Sequence, residues 1–191
     1  TSPSNLKNDD NKIIASCHCR AINAEVAAHT SNIQNGFCQG RQIAYNPVEL
    51  DAISWTIGQK HNLIKAPALV LLDIAAAFPS LLQQWLFSVV AISLRARGLR
   101  NSIWTFYWMP GVVDRLPNLA FFILRGILQG CPWSGTLYLI AKDPWLWLIH
   151  RDPEVKKGAV RAKACADDLG FATDSLRKMT GIHDILVKMG Y

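Results

Sequence analysis

Charge is scarce in this chain of 191 residues: 18% of it is charged, while 50% is hydrophobic. So little charge beside so much apolar side chain excludes a disordered segment, because such a chain can bury enough surface to offset the entropy of ordering. Acid is scarcer than base, 14 residues against 20, and the net charge of +6 suits a polyanionic partner. Cysteines number five, an odd count without paired spacing. That excludes a disulfide framework and suits a reducing, intracellular compartment, nuclear or cytoplasmic. Cys17-His18-Cys19 has no second ligand pair at finger spacing, so it reads as a packed or half-exposed helix segment and not as zinc ligands. The polar opening residues contain no apolar core of a secretory signal. From Ile74 to Leu94 no residue is charged, yet Pro79, Ser80, Gln83, Gln84 and Ser88 interrupt the stretch, and a buried helix fits it better than a membrane span. Internal repeats and low-complexity segments are lacking as well.

What is present centres on Lys163-Ala164-Cys165-Ala166-Asp167-Asp168-Leu169-Gly170-Phe171-Ala172-Thr173. Two adjacent carboxylates between short apolar runs read as a tight hairpin with the acids at its turn. Neighbouring side chains on a strand point opposite ways, so one of the two aims at a shared ligand and a further carboxylate must come from elsewhere. Pro67 to Leu72 is an unbroken apolar run that ends in Asp73, as suits a buried strand delivering an acid at its tip. Three converging carboxylates repel one another unless a divalent cation lies between them. Hard oxygen donors without His or Cys favour magnesium, which completes its shell with water and substrate phosphate and so points to phosphoryl transfer.

Asp73-Ile74-Ala75-Ala76-Ala77-Phe78, Leu128-Gln129-Gly130-Cys131-Pro132-Trp133-Ser134 and Ala166-Asp167-Asp168 resemble, in order, the three central palm motifs of reverse transcriptases. Gly36-Phe37-Cys38-Gln39-Gly40-Arg41-Gln42-Ile43 also resembles a segment of the non-LTR retrotransposon branch. The resemblance implies an α+β fold: a polymerase palm whose antiparallel sheet packs on helices, with partial fingers. Residues 1–66 would be fingers and residues 67–191 palm, with about 98–128 a candidate return to the fingers and no thumb. It implies an RNA-directed DNA polymerase in which Asp73, Asp167 and Asp168 bind two magnesium ions, or manganese. Ala76 and Ala77 would lie along the triphosphate, Phe78 would be the aromatic gate against a ribose 2′-hydroxyl, and Gln129 and Gly130 would line the nucleotide pocket. Arg41 would contact the template strand. The partners so implied are an RNA template, a DNA primer and deoxynucleoside triphosphates. Cys165 stands where the family often has an aromatic, and Ser2 where its fingers carry an arginine.

Along the chain, Ile13, Ile14, Cys17, Ile22, Val26 and Ala27 predict a helix over 11–29 with Asp9 or Asp10 as its cap, and Val48 to Ile64 a second one. One helix is expected from just after Asp73 to about Arg97, with Gly98 as its stop and free N–H groups at its start for phosphate. Between Asn101 and Pro117, Trp104, Phe106, Tyr107 and Trp108 read as core before a turn at Met109-Pro110. Leu119 to Leu124 reads as a strand. A helix opening near Ser134 should end or bend at Asp143-Pro144, and Leu176 to Met189 should form one last helix.

Overall fold

The computed structural model describes residues 9–59, 67–74, 76–94, 96–107, 111–113, 119–122 and 124–189. In chain order these form α1 (Asp9–His29), α2 (Tyr45–Gln59), β1 (Ala68–Leu72), α3 (Ala77–Ser80), α4 (Gln83–Ser93), α5 (Arg97–Tyr107), β2 (Gly111–Val113) and β3 (Leu119–Phe122). There follow α6 (Ser134–Arg151), α7 (Pro153–Lys156), β4 (Val160–Cys165), β5 (Asp168–Thr173), a 3-10 turn at Leu176–Met179 and α8 (Thr180–Met189). The fold is α+β, as expected. Expectations placed on Ser2, Ala75, Arg95, Trp108, Met109 and Pro110 lie outside the described residues. Among the described residues no helix is long and apolar enough to cross a membrane. The chain divides into two compact units, Ala27–Ala75 with Lys142–Tyr191 and Thr1–Val26 with Ala76–Ala141.

The first of these is built on an antiparallel sheet in the order β1-β5-β4. Period-2 alternation assigns its two faces. Val70 and Leu72 from β1, Val160, Ala162 and Ala164 from β4, and Leu169 and Phe171 from β5 turn to one side. There they meet Leu146 and Ile149 of α6, Met179, and Ile182 and Leu186 of α8. Phe171, Val160, Ala164, Leu146, Ile149 and Ile182 are fully buried. Burying a Leu, Ile or Phe side chain contributes roughly 1.5–3 kcal/mol each, so this layer is the main stabilising term of the unit. It also explains why α6 does not end at Pro144 but continues to Arg151: proline removes one hydrogen bond, and the buried Leu146 and Ile149 hold the following turns in place. The opposite face carries Leu71, Lys163, Cys165, Asp168 and Gly170, and α2 packs over part of it. The Cδ1 tip of Leu50 in α2 lies where a Cβ on Gly170 would have to be, so any larger residue there must displace that leucine. Asn46 donates to the Ala164 carbonyl at 2.7 Å, and Glu49 pairs with Lys163 at 2.6 Å. The α2 helix starts three residues before the expected Val48, with Pro47 in its first turn where a missing N–H costs little.

In the other unit the buried stripe of α1 is Ala15, Cys19, Ile22 and Val26, at 4-3-4 spacing. Ile13 and Ile14, expected to face inward, are 63% and 46% exposed, and Asp9 and Asp10 occupy the first turn itself, where carboxylates oppose the helix dipole. Cys19 and Asn23 both reach Thr136 of α6, at 3.3 and 2.8 Å. No disulfide joins any of the five cysteines. The stretch expected as one helix from just after Asp73 to about Arg97 holds α3 and α4 among its described residues, and α5 begins only at Arg97. Residues 124–126 insert against the break: Leu82 bridges Arg125, Gln83 N–H donates to the Leu124 carbonyl, and Gly126 N–H donates to that of Leu81 at 2.7 Å. Gly98, expected to stop the helix, opens α5. Of the α5 aromatics expected in the core, Tyr107 is fully buried, as is Trp133, whereas Phe106 is half-buried, leaning on Trp133 at 5.5 Å, and Trp104 is 40% exposed, stacking on Phe87 at 4.8 Å. β2, not anticipated, pairs antiparallel with β3.

Candidate active site at the acid turn

The sheet register brings two of the acids together. Leu72 pairs with Leu169, so the next residues out along β1 and β5, Asp73 and Asp168, face each other across the strands. Cys165 pairs with Asp168 on the other side, which leaves Ala166 and Asp167 as a two-residue hairpin connection. Ala166 has φ 55°, the positive value that primed hairpin turns require at their first central residue and that glycine usually supplies. Holding alanine there costs about 1–2 kcal/mol, so the surroundings must enforce it.

Two buried polar side chains grip this turn. Gln34, fully buried, accepts through Oε1 from the N–H groups of Ala166 and Gly36, both at 2.8 Å, and donates through Nε2 to the Ala166 carbonyl at 3.1 Å. Its own segment is fastened to β4, because Asn35 N–H donates to the Ala164 carbonyl and Ala164 N–H to that of Ile33, at 2.9 and 2.8 Å. A Cβ on Gly36 would collide with the Ala166 nitrogen, so only glycine lets the segment approach so closely. Lys142 of α6, 5% exposed, donates through Nζ to the carbonyls of Ala166 and Asp167 at 2.8 and 2.7 Å. Burial pulls its ammonium down to about 8, against the pull of Asp167, Asp168, Cys165 and Asp73. The turn therefore contains an internal cation facing the main chain of the acids.

The carboxylates sense one another. Asp168 reaches solvent at its tip, yet desolvation by the surrounding protein raises its carboxyl above the usual range, followed by the charges of Asp167 and Asp73. The same two causes, burial and then Asp168 and Asp167, raise the Cys165 thiol. Asp73 and Asp168 both open on a cavity of about 390 Å³ between α2 and the sheet, with Ile43, Pro47, Leu50 and Leu71 among its apolar walls. Among the described residues no group of three or more His, Cys, Asp or Glu side chains is arranged to hold a metal ion. The donors present nevertheless suit a hard divalent cation such as magnesium, which takes only one or two protein carboxylates and fills the rest of its shell with water and phosphate.

The other expected site residues lie as follows. Arg41 does not project outward. Its Nη1 donates to the carbonyls of Ser31 and Gln34 at 2.7 and 2.6 Å, and its Nη2 to those of Ala27 and Thr30 at 2.9 Å each. All four Nη hydrogens are thereby engaged in tying the end of α1 to the loop carrying Gln34. Asp143, which accepts from Ser31 N–H at 2.7 Å, supports the same corner, and burial raises its carboxyl. In the unit with α3, Ala76 is exposed with φ 56° at the start of that four-residue helix, and Ala77 is buried. Phe78 is half-buried and stacks on Tyr138 with ring centres 4.6 Å apart. Gln129 and Gly130 are exposed in a turn closed by Cys131 N–H to the Leu128 carbonyl, with Gly130 at φ 78°. Sequence reasoning missed Gln34 and Lys142. The available signals were a lysine ending the apolar run Leu137 to Ala141 and a glutamine placed between Ile33 and the Gly36 turn.

No family model and no curated protein matches the sequence. Among solved structures, the apo telomerase of Candida tropicalis, truncated from its C-terminal domain, is similar with a TM-score of 0.56 at 11% identity. The match covers 94% of this chain and 36% of that one, so the chain spans about a third of the length of the telomerase. The likeness is one of fold.

Proposed function

We propose that the chain is the palm and part of the fingers of an RNA-directed DNA polymerase similar to the reverse transcriptases of non-LTR retrotransposons. It would extend a DNA primer with deoxynucleoside triphosphates on an RNA template. One observation carries the reading: Asp73 at the end of β1 and Asp168 at the start of β5 face each other and share a cavity, with Asp167 in the adjoining turn. On this reading Asp73 and Asp167 hold the divalent ions and Asp168 supports them. Two magnesium or manganese ions, when bound, supply a lowered pKa for the primer 3′-hydroxyl and neutralisation of the leaving pyrophosphate. By the resemblance, Ala76 and Ala77 would lie along the triphosphate, Gln129 and Gly130 would line the nucleotide pocket, and Phe78, stacked on Tyr138, would exclude a 2′-hydroxyl. The net charge of +6 supports a nucleic-acid partner. A second reading, nucleic-acid binding without catalysis, is favoured by the absence of a ready-made metal cage among the described residues.

Primer extension on an RNA template with magnesium separates the two. Extension by the wild-type chain that disappears in Asp167→Asn supports the polymerase. A chain that binds primer–template yet extends nothing supports the second reading.

A further inference from the structure

Gln34 and Lys142 come from distant parts of the sequence, and both bond to the main chain of one two-residue turn, Gln34 accepting from Gly36 N–H as well. Neither contributes an atom to the cavity that Asp73 and Asp168 line. Burying an amide or an ammonium is unfavourable unless its bonds are satisfied, and a well-packed apolar residue would serve stability as well or better. Their placement makes sense for a different task. Gln34 addresses both the N–H and the carbonyl of Ala166, the residue in the strained left-handed conformation directly before Asp167. Lys142 addresses the carbonyl of Ala166 and that of Asp167 itself. Three of the four main-chain polar groups of Ala166 and Asp167 are thus fixed by two side chains. The direction in which the Asp167 carboxylate leaves the turn, and its offset from Asp168, follow from those bonds.

We infer that Gln34 and Lys142 are positioning residues, which set the orientation of the acid pair for a divalent cation without touching that cation. The inference rests on the reading that these acids bind such an ion. Outer partners of this kind typically change metal affinity by about 10–100-fold when removed.

The test titrates the chain with Mn²⁺ alone, counting free ion by electron paramagnetic resonance, for wild type, Asp167→Asn, Gln34→Met and Lys142→Met, each first shown to melt cooperatively. Gln34→Met changes no charge, and its affinity should fall about tenfold or more. Lys142→Met removes a positive charge beside three carboxylates, which by itself tightens cation binding. Positioning requires the opposite sign, an affinity about tenfold weaker. Affinity within twofold of wild type for folded Gln34→Met, or unchanged or tighter binding by folded Lys142→Met, overturns the assignment of that residue. Should Gln34→Met fail to melt cooperatively, Gln34→Asn keeps the amide but withdraws it from Ala166, and the same tenfold criterion applies. Wild type that takes up no more Mn²⁺ than Asp167→Asn overturns the metal reading itself, and the positioning role with it. Wild-type uptake above that of Asp167→Asn, with both positioning variants equal to wild type, overturns the positioning role alone.

Discussion

Single residues carry more of this site than the motifs suggest. Arg41 was legible as an arginine among glycines, and a template contact is what such a loop implies, but four main-chain carbonyls claim its guanidinium. Arg41→Ala should therefore cost about 3 kcal/mol of stability in urea melts, because several carbonyls lose a charged donor at once. The salt dependence of primer–template binding should stay as it was, whereas loss of a true phosphate contact would lower the slope by about one. Lys142 permits a pH test. Its native ammonium loses its proton near 8 and the unfolded one near 10.5. Between those values the unfolded chain holds the extra proton, so stability from this group rises with pH, by up to about 1.4 kcal/mol per unit, and is flat below pH 8. Burial raises the Tyr107 hydroxyl, which acts in the opposite sense near pH 10, but that contribution is common to both proteins and cancels. Urea melts of wild type and Lys142→Met from pH 7 to 10 should diverge in favour of wild type above pH 8, and parallel curves would sink the assignment.

At the scale of elements, what was legible is what local sequence decides. Pro67 to Leu72 is apolar throughout and ends in an acid, and it is β1. The hairpin was equally plain from the acid pair between two apolar flanks, although its turn falls at Ala166-Asp167, one residue before the expected Asp167-Asp168, and Asp168 opens β5. The break between α3 and α4 was not legible, since Pro79 suits the first turn of a helix and residues 80–83 carry no helix breaker. Its cause lies more than 40 residues on, where Leu124 and Gly126 capture backbone groups that a continuous helix would have used. Gly126 tests this account. It has φ 93°, and a Cβ there would meet the Pro79 carbonyl oxygen at 3.2 Å. Gly126→Ala should lower stability by about 1–3 kcal/mol in a thermal melt, through strain and through the weakened seam. A variant that melts with wild type would place the origin of the break elsewhere.

At the scale of the whole molecule, the contacts that build each unit join stretches remote in sequence. Each compact unit is assembled from two separated stretches, so its defining bonds join residues far apart: 132 positions between Gln34 and Ala166, and 118 between Asn46 and Ala164. Contacts of such separation demand loop closure before they reward it, and periodicity along the chain cannot signal them. The acids stand out in the sequence because an adjacent carboxylate pair is a local feature; Gln34 and Lys142 do not, because a lone buried Gln or Lys looks in sequence like any other polar residue.

The pairing of β1 with β5 carries a consequence for how this stretch can vary. A strand counts in twos, so gaining or losing one residue before Asp73 in β1 would turn its carboxylate toward Val70, Leu72 and the helices beneath. A change of two would restore the facing but slide the acid roughly 7 Å along the strand, past Asp168. Neither outcome keeps the two carboxylates side by side. Insertions and deletions within the strands would therefore part the two acids, and strand length is the property that this pairing requires to stay fixed.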